Sequence, residues 1–120
     1  MRVRGVRGAI AVREDDREAV LDATERLLGT LLERNAIGTD DIVSVIFTAT
    51  DDLRAAFPAE AARRMGLGAV PLLCARELSI DGSMPRVVRV LLHVWTGRSQ
   101  DELQPVYLDG AESLRDDLVR

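Results

Sequence analysis

The sequence reads as one α+β domain, and three observations carry that reading. Its 120 residues are 47% hydrophobic, enough for a single core. Residues 86–95, Arg-Val-Val-Arg-Val-Leu-Leu-His-Val-Trp, are rich in β-branched and large apolar side chains and predict a long strand. Within residues 15–35, Val20, Thr24, Leu27, Leu28 and Leu31 recur at helical spacing and give a helix one apolar face. A chain this small leaves sheet faces or edges for another subunit to cover, so a homo-oligomer is expected.

Taken in order, residues 1–13 predict a strand. Side chains alternate along a strand, so Val3, Gly5, Arg7, Ala9 and Ala11 share one face. Read alone, Arg7 is most simply a surface side chain; its small neighbours also clear space for an anion. The helix over 15–35 starts at Asp15 or Asp16, with Glu18 placed to complete a capping-box-like turn, and its charged residues form a solvated face. Residues 36–41 are a loop, with Gly38 just past the helix. Residues 43–50 are apolar on both faces and predict an interior strand in the middle of the sheet.

After a turn at 51–53, Phe57-Pro58 opens a short helix through Met65, with proline at its first position and Gly66 as its stop. Arg63 and Arg64 lie on it, solvated or within reach of an acidic ligand. Residues 70–73 predict a short strand whose Pro71 marks an edge or a strand start, and Cys74 follows it. That cysteine reads as a small buried hydrophobe, with no histidine near it in sequence. A turn over 81–85 leads to the long strand, where Val87, Arg89, Leu91, His93 and Trp95 share a face. Residues 97–104 are a polar turn capped by Ser99. Residues 105–108 are a last strand, with Tyr107 opposite Val106 and Leu108 and its hydroxyl at water. Residues 111–120 read as a loosely held tail whose one apolar-basic pair is Leu114-Arg115.

Composition excludes several function classes. A net charge of −4 without a basic patch disfavours nucleic acid and anionic membranes as partners. One cysteine permits no internal disulfide, and no apolar run is long enough for a membrane span or a signal peptide; the expected location is cytoplasmic. All sixteen basic residues are arginine, so no lysine can form a Schiff base. One histidine and one cysteine cannot build the usual zinc clusters, and no phosphate loop or dinucleotide fingerprint is present. An enzyme of this composition works through arginine, carboxylate and hydroxyl groups, with no metal and no cofactor.

Arg89 is the outstanding residue. It lies inside the apolar run without an acidic sequence neighbour, and a guanidinium cannot shed its charge, so burial demands a carboxylate or an anionic ligand. Glu77 could be that partner, or both could face a polar ligand between them.

Arg-Gly-Val-Arg-Gly-Ala at 4–9, Ala-Thr-Asp-Asp-Leu at 49–53, Phe-Pro-Ala at 57–59, Val-Pro-Leu-Leu-Cys-Ala-Arg-Glu at 70–77, Arg-Val-Leu-Leu at 89–92 and Val-Tyr-Leu at 106–108 together resemble the monofunctional chorismate mutases of the AroH type. The resemblance spans essentially the whole chain. It implies a mixed five-stranded sheet packed with helices, a trimeric pseudo-α/β-barrel with sites between subunits, and cofactor-free isomerisation of chorismate to prephenate. Carried over residue by residue, it implies that Arg89 is the key cation and Glu77 its acid. Arg7 and Tyr107 become carboxylate-binding groups and Arg63 an outer arginine, while Phe57, Ala59, Leu72, Leu73 and Cys74 form the pocket wall. Leu114 and Arg115 become tail contacts. This chain has Glu60 where the family can carry a lysine, and Leu73 where it can carry a threonine. Two other readings accompany this one: a trimeric enamine/imine deaminase, and a non-catalytic sensor of a small aromatic-pathway acid.

Overall fold

Strand pairing puts the long apolar run at the centre of a mixed sheet. In this computed structural model, which describes residues 1–118 and the side chains of residues 1–114, the strands are β1 (Arg2–Ala11), β2 (Ile42–Ala49), β3 (Leu72–Arg76), β4 (Val87–Thr96) and β5 (Val106–Leu108). The helices are α1 (Arg17–Arg34) and α2 (Pro58–Arg64). The sheet order is β3-β2-β4-β1-β5; β4 runs antiparallel to β1 and β2, while β3 and β5 pair in parallel with β2 and β1. β2 is interior but one place off centre. No helix among the described residues is long and apolar enough to cross a membrane.

Both helices pack on one face of the sheet, α1 over β1 and β5 and α2 over β2 and β3. There Val6, Ile10, Val45, Phe47, Val88, Val90, Leu92 and Val106 meet Val20, Leu27, Leu28 and Leu31 of α1 in a core closed to solvent. Each such side chain contributes about 1.5–3 kcal/mol by burial. Gly8 lets β1, β5 and α1 approach closely, because a Cβ there would lie 2.7 Å from the Val106 carbonyl oxygen and 3.0 Å from Leu27 Cδ1. The opposite face carries neither α-helix, and Val3, Leu73, Leu91 and Trp95 are exposed on it.

Several local expectations change. Asp16 caps α1, accepting from the Ala19 N–H at 3.2 Å, so Glu18 stands one place short of the position a capping box requires. β3 begins after Pro71 and runs to Arg76, so Cys74 lies within the strand. Tyr107 is 8% exposed, more buried than its composition suggests. The tail from Ala111 is a 3-10 helix to Leu118, anchored by buried Ala111 and by Leu114, which packs against a small cluster of Ala9, Val87 and Tyr107.

The α1 C-terminus departs most from expectation. Asn35 is the cap, the Ile37 N–H donates to the Leu32 carbonyl at 2.9 Å, and Ala36 takes φ 51° at the position where a glycine is usual. α2 ends the same way with Gly66 at φ 88°. Buried Asn35 also binds the backbone of Gln104 through both ends of its amide, at 2.9 and 2.7 Å, which fixes the approach to β5. Ala36→Gly removes the left-handed strain and stabilises the fold by about 0.5–1 kcal/mol, read as a higher denaturant midpoint at unchanged slope.

Candidate active site

The face of the sheet opposite α1 and α2 assembles the polar residues. Alternation along β4 sends Arg89 to that face, and register sets Thr48 of β2 and Ala9 of β1 on either side of it. Ala75 of β3 lies beside Thr48, and Tyr107 of β5 beside Ala9. One row across five strands therefore reads Ala75, Thr48, Arg89, Ala9, Tyr107. The small alanines leave room between the polar groups.

Glu77 enters from just past β3. Its backbone N–H donates to the Ala49 carbonyl at 2.9 Å, continuing the β2–β3 ladder and fixing where its side chain starts. Glu77 Oε2 receives the Thr48 hydroxyl at 2.5 Å and lies 3.2 Å from Arg89 Nε. Among the described residues, the two Nη groups of Arg89 and the Oε1 of Glu77 have no protein partner. The side chains are 44% and 25% exposed respectively. Arg89 is thus answered by an acid, with an open cleft beside the pair.

That cleft has a volume of about 380 Å³ and is lined by Arg7, Ile46, Thr48, Glu77, Arg89 and Tyr107, among others. Its size suits a small organic ligand. Two arginines, one carboxylate and a tyrosine on one apolar sheet face suit a small dicarboxylate that also carries a hydroxyl. Among the described residues no three His, Cys, Asp or Glu side chains are grouped as a metal site requires.

The remaining predicted residues lie elsewhere. Phe57 and Cys74 line a separate groove of about 760 Å³, with Glu60, Arg17, Arg54 and Arg76. Leu73 is exposed on the face opposite α1 and α2, beside Ile46. Ala59 is buried, and half-buried Leu72 packs against the main core. Arg63 is exposed on α2. Arg64 is engaged by α1, with Glu18 and Glu25 both at 3.4 Å, so it ties the two helices together. Leu114 lies under Tyr107, and the side chain of Arg115 lies outside the described residues.

Thr48 and Ile46 escaped the sequence reading. A threonine in an apolar strand looks like ordinary strand composition, and only the β2–β4 register discloses what it faces. The charged face of α1 also does more than meet solvent. Arg17 grips Glu60 with both guanidinium Nη groups, so the acid at the family's lysine position is neutralised within the chain.

The chorismate mutase type I family model matches residues 3–118. The chain is 53% identical over 117 residues to "Chorismate mutase AroH" of Thermus thermophilus, covering 97% of this chain and 96% of that protein. It is 39% identical over 119 residues to the protein of the same name from Bacillus subtilis, covering 98% and 94%. Among solved structures, a chorismate mutase from Clostridium thermocellum superposes with a TM-score of 0.90 at 40% identity, covering 91% of this chain and 97% of that one.

The hydrogen bond from Arg17 holds the Glu60 carboxyl below the usual carboxylate range, and the charge on Arg17 adds to it. Because the folded value is the lowered one, the pair stabilises the fold above the ordinary carboxylate range and loses that contribution as pH falls through the depressed value. In an NMR titration the Glu60 carboxyl has a midpoint below the ordinary value of about 4.3, and Arg17→Ala moves it upward.

Proposed function

The chain belongs to the chorismate mutase type I family and is an isomerase of the aromatic amino acid pathway, and we propose that the Arg89–Glu77 cleft is where it turns chorismate into prephenate. The rearrangement is a one-step pericyclic shift in which an ether C–O bond breaks as a C–C bond forms. No proton or electron is transferred, so the site needs no base, nucleophile or cofactor. It needs the dicarboxylate held in its folded, diaxial conformer and charge set where the transition state is polarised.

In this reading the roles follow from charge. The breaking ether oxygen gains negative character, and a fixed guanidinium there binds the transition state better than the ground state. Arg89 takes that part. The observation that carries it is the contact of Arg89 Nε with Glu77, which orients the guanidinium while both Nη groups stay without a protein partner among the described residues. Glu77 accepts the ring hydroxyl and balances positive character on the ring. Arg7 and Tyr107 hold the side-chain carboxylate, and Arg63 draws in the other.

A homotrimer completes this site. Phe57 and Cys74 line a groove distinct from the cleft of the same chain, so a pocket walled by both requires the groove of one copy against the cleft of the next. Exposed Val3, Leu91 and Trp95 on the face opposite α1 and α2 support burial of that face by another copy. The assembly is the trimeric pseudo-α/β-barrel, and the whole chain acts as one chorismate mutase domain.

Arg89→Lys keeps the charge but loses the planar fork. The expected cost is roughly 100- to 1000-fold in kcat, the range for losing one preorganised donor at a developing oxyanion, followed as the ultraviolet loss of chorismate; near-normal turnover contradicts the assignment. Cys74→Ala stays substantially active in the same assay, because nothing in the reaction calls for a thiolate.

A further inference from the structure

We infer that Thr48 is a positioning residue for the reaction, acting through Glu77; this rests on the reading of the cleft given above. A glutamate side chain just beyond the end of an edge strand has three rotatable bonds and no backbone reason to choose one orientation. Here two groups converge on one of its oxygens: the Thr48 hydroxyl donates to Oε2 at 2.5 Å, and Arg89 Nε forms an ion pair with the same Oε2 at 3.2 Å. An ionised carboxylate is acceptor-only, so these two contacts fix its rotation and leave Oε1 as the oxygen for the substrate. The ion pair in turn steadies the guanidinium, because Arg89 and Thr48 are register partners on neighbouring strands and share the carboxylate as a common anchor.

The location of Thr48 suits the task. β2 is interior, held by β3 on one side and β4 on the other, so its backbone is among the least mobile available. β-Branching restricts χ1, which fixes the direction of the hydroxyl. Ala75 beside it on β3 leaves the space that the Glu77 carboxylate occupies. Thr48 lines the cleft with its donor already committed to Glu77. Its effect is therefore on where the acid and the arginine are held.

The test separates this role from a structural one. Valine has the shape and strand preference of threonine, so Thr48→Val keeps the melting temperature while removing the donor. Its kcat for chorismate falls about tenfold, the scale of one charge-assisted hydrogen bond, with a smaller change in KM. Thr48→Ser restores the hydroxyl and recovers most of the kcat. In a Glu77→Ala background, which leaves no side-chain acceptor, Thr48→Val adds little, because the group through which it acts is already gone. Full kcat in Thr48→Val overturns the inference, as does a tenfold loss that persists undiminished in the Glu77→Ala background. If the unmodified chain leaves chorismate untouched, the reading of the cleft falls and this role with it; if the unmodified chain is active, only the Thr48 variants decide.

Discussion

A guanidinium fixed on an apolar strand is the constraint from which the rest of the site follows. Arg89 stands on the central strand with neighbours on both sides, so its backbone is held in place while its side chain stays 44% exposed beside the cleft. Desolvating a permanent charge is costly without a counter-charge. Glu77 supplies that charge with its nearest approach on Nε, at 3.2 Å, and the fork donates no hydrogen bond to a described residue. A bidentate pair would have satisfied the cation more fully and spent the groups a ligand needs. The arrangement is a compromise between holding the charge and keeping it usable.

Charge is sorted by place over the remainder of the chain. The protein is acidic overall, and several of its acids are paired with arginine: Glu60 with Arg17, Asp109 with Arg26, Asp51 with Arg76, and Glu18 and Glu25 with Arg64. Exposed pairs of this kind add little to stability. Among the described residues that line the cleft, Glu77 is the one carboxylate beside Arg7 and Arg89.

Much of this was legible in the residues. The five helical-period positions of α1 are all buried, because period and burial are two aspects of one geometry. Alternation placed Arg89, Leu91, His93 and Trp95 on a common face, and the register agrees. Less legible were features set by partners distant in sequence. Thr48 and Glu77 are joined by strand pairing that no local pattern encodes. The end of α1 was hidden because Ala36 adopts a glycine-like φ, while Gly38, which attracted the reading, has an ordinary extended backbone. Pro71 was taken into β3, although its missing N–H suits the residue just before the strand. Glu60 looked like a loss of positive charge until Arg17 was found against it.

The parallel pairing of β1 with β5 has a temporal consequence. Gly8 lies against Val106, and so Arg7 and Tyr107 meet only when opposite ends of the sequence have come together. During synthesis the first strand emerges early, and although α1 follows at once to cover its apolar face, one edge stays unpaired until the segment fixed by Asn35 arrives to dock beside it. A nascent chain halted before that point can build α1 and the β1–β4 and β2–β4 pairings, yet its cleft lacks the wall that Tyr107 supplies. Enclosure of the cleft is therefore completed only in the closing step of assembly.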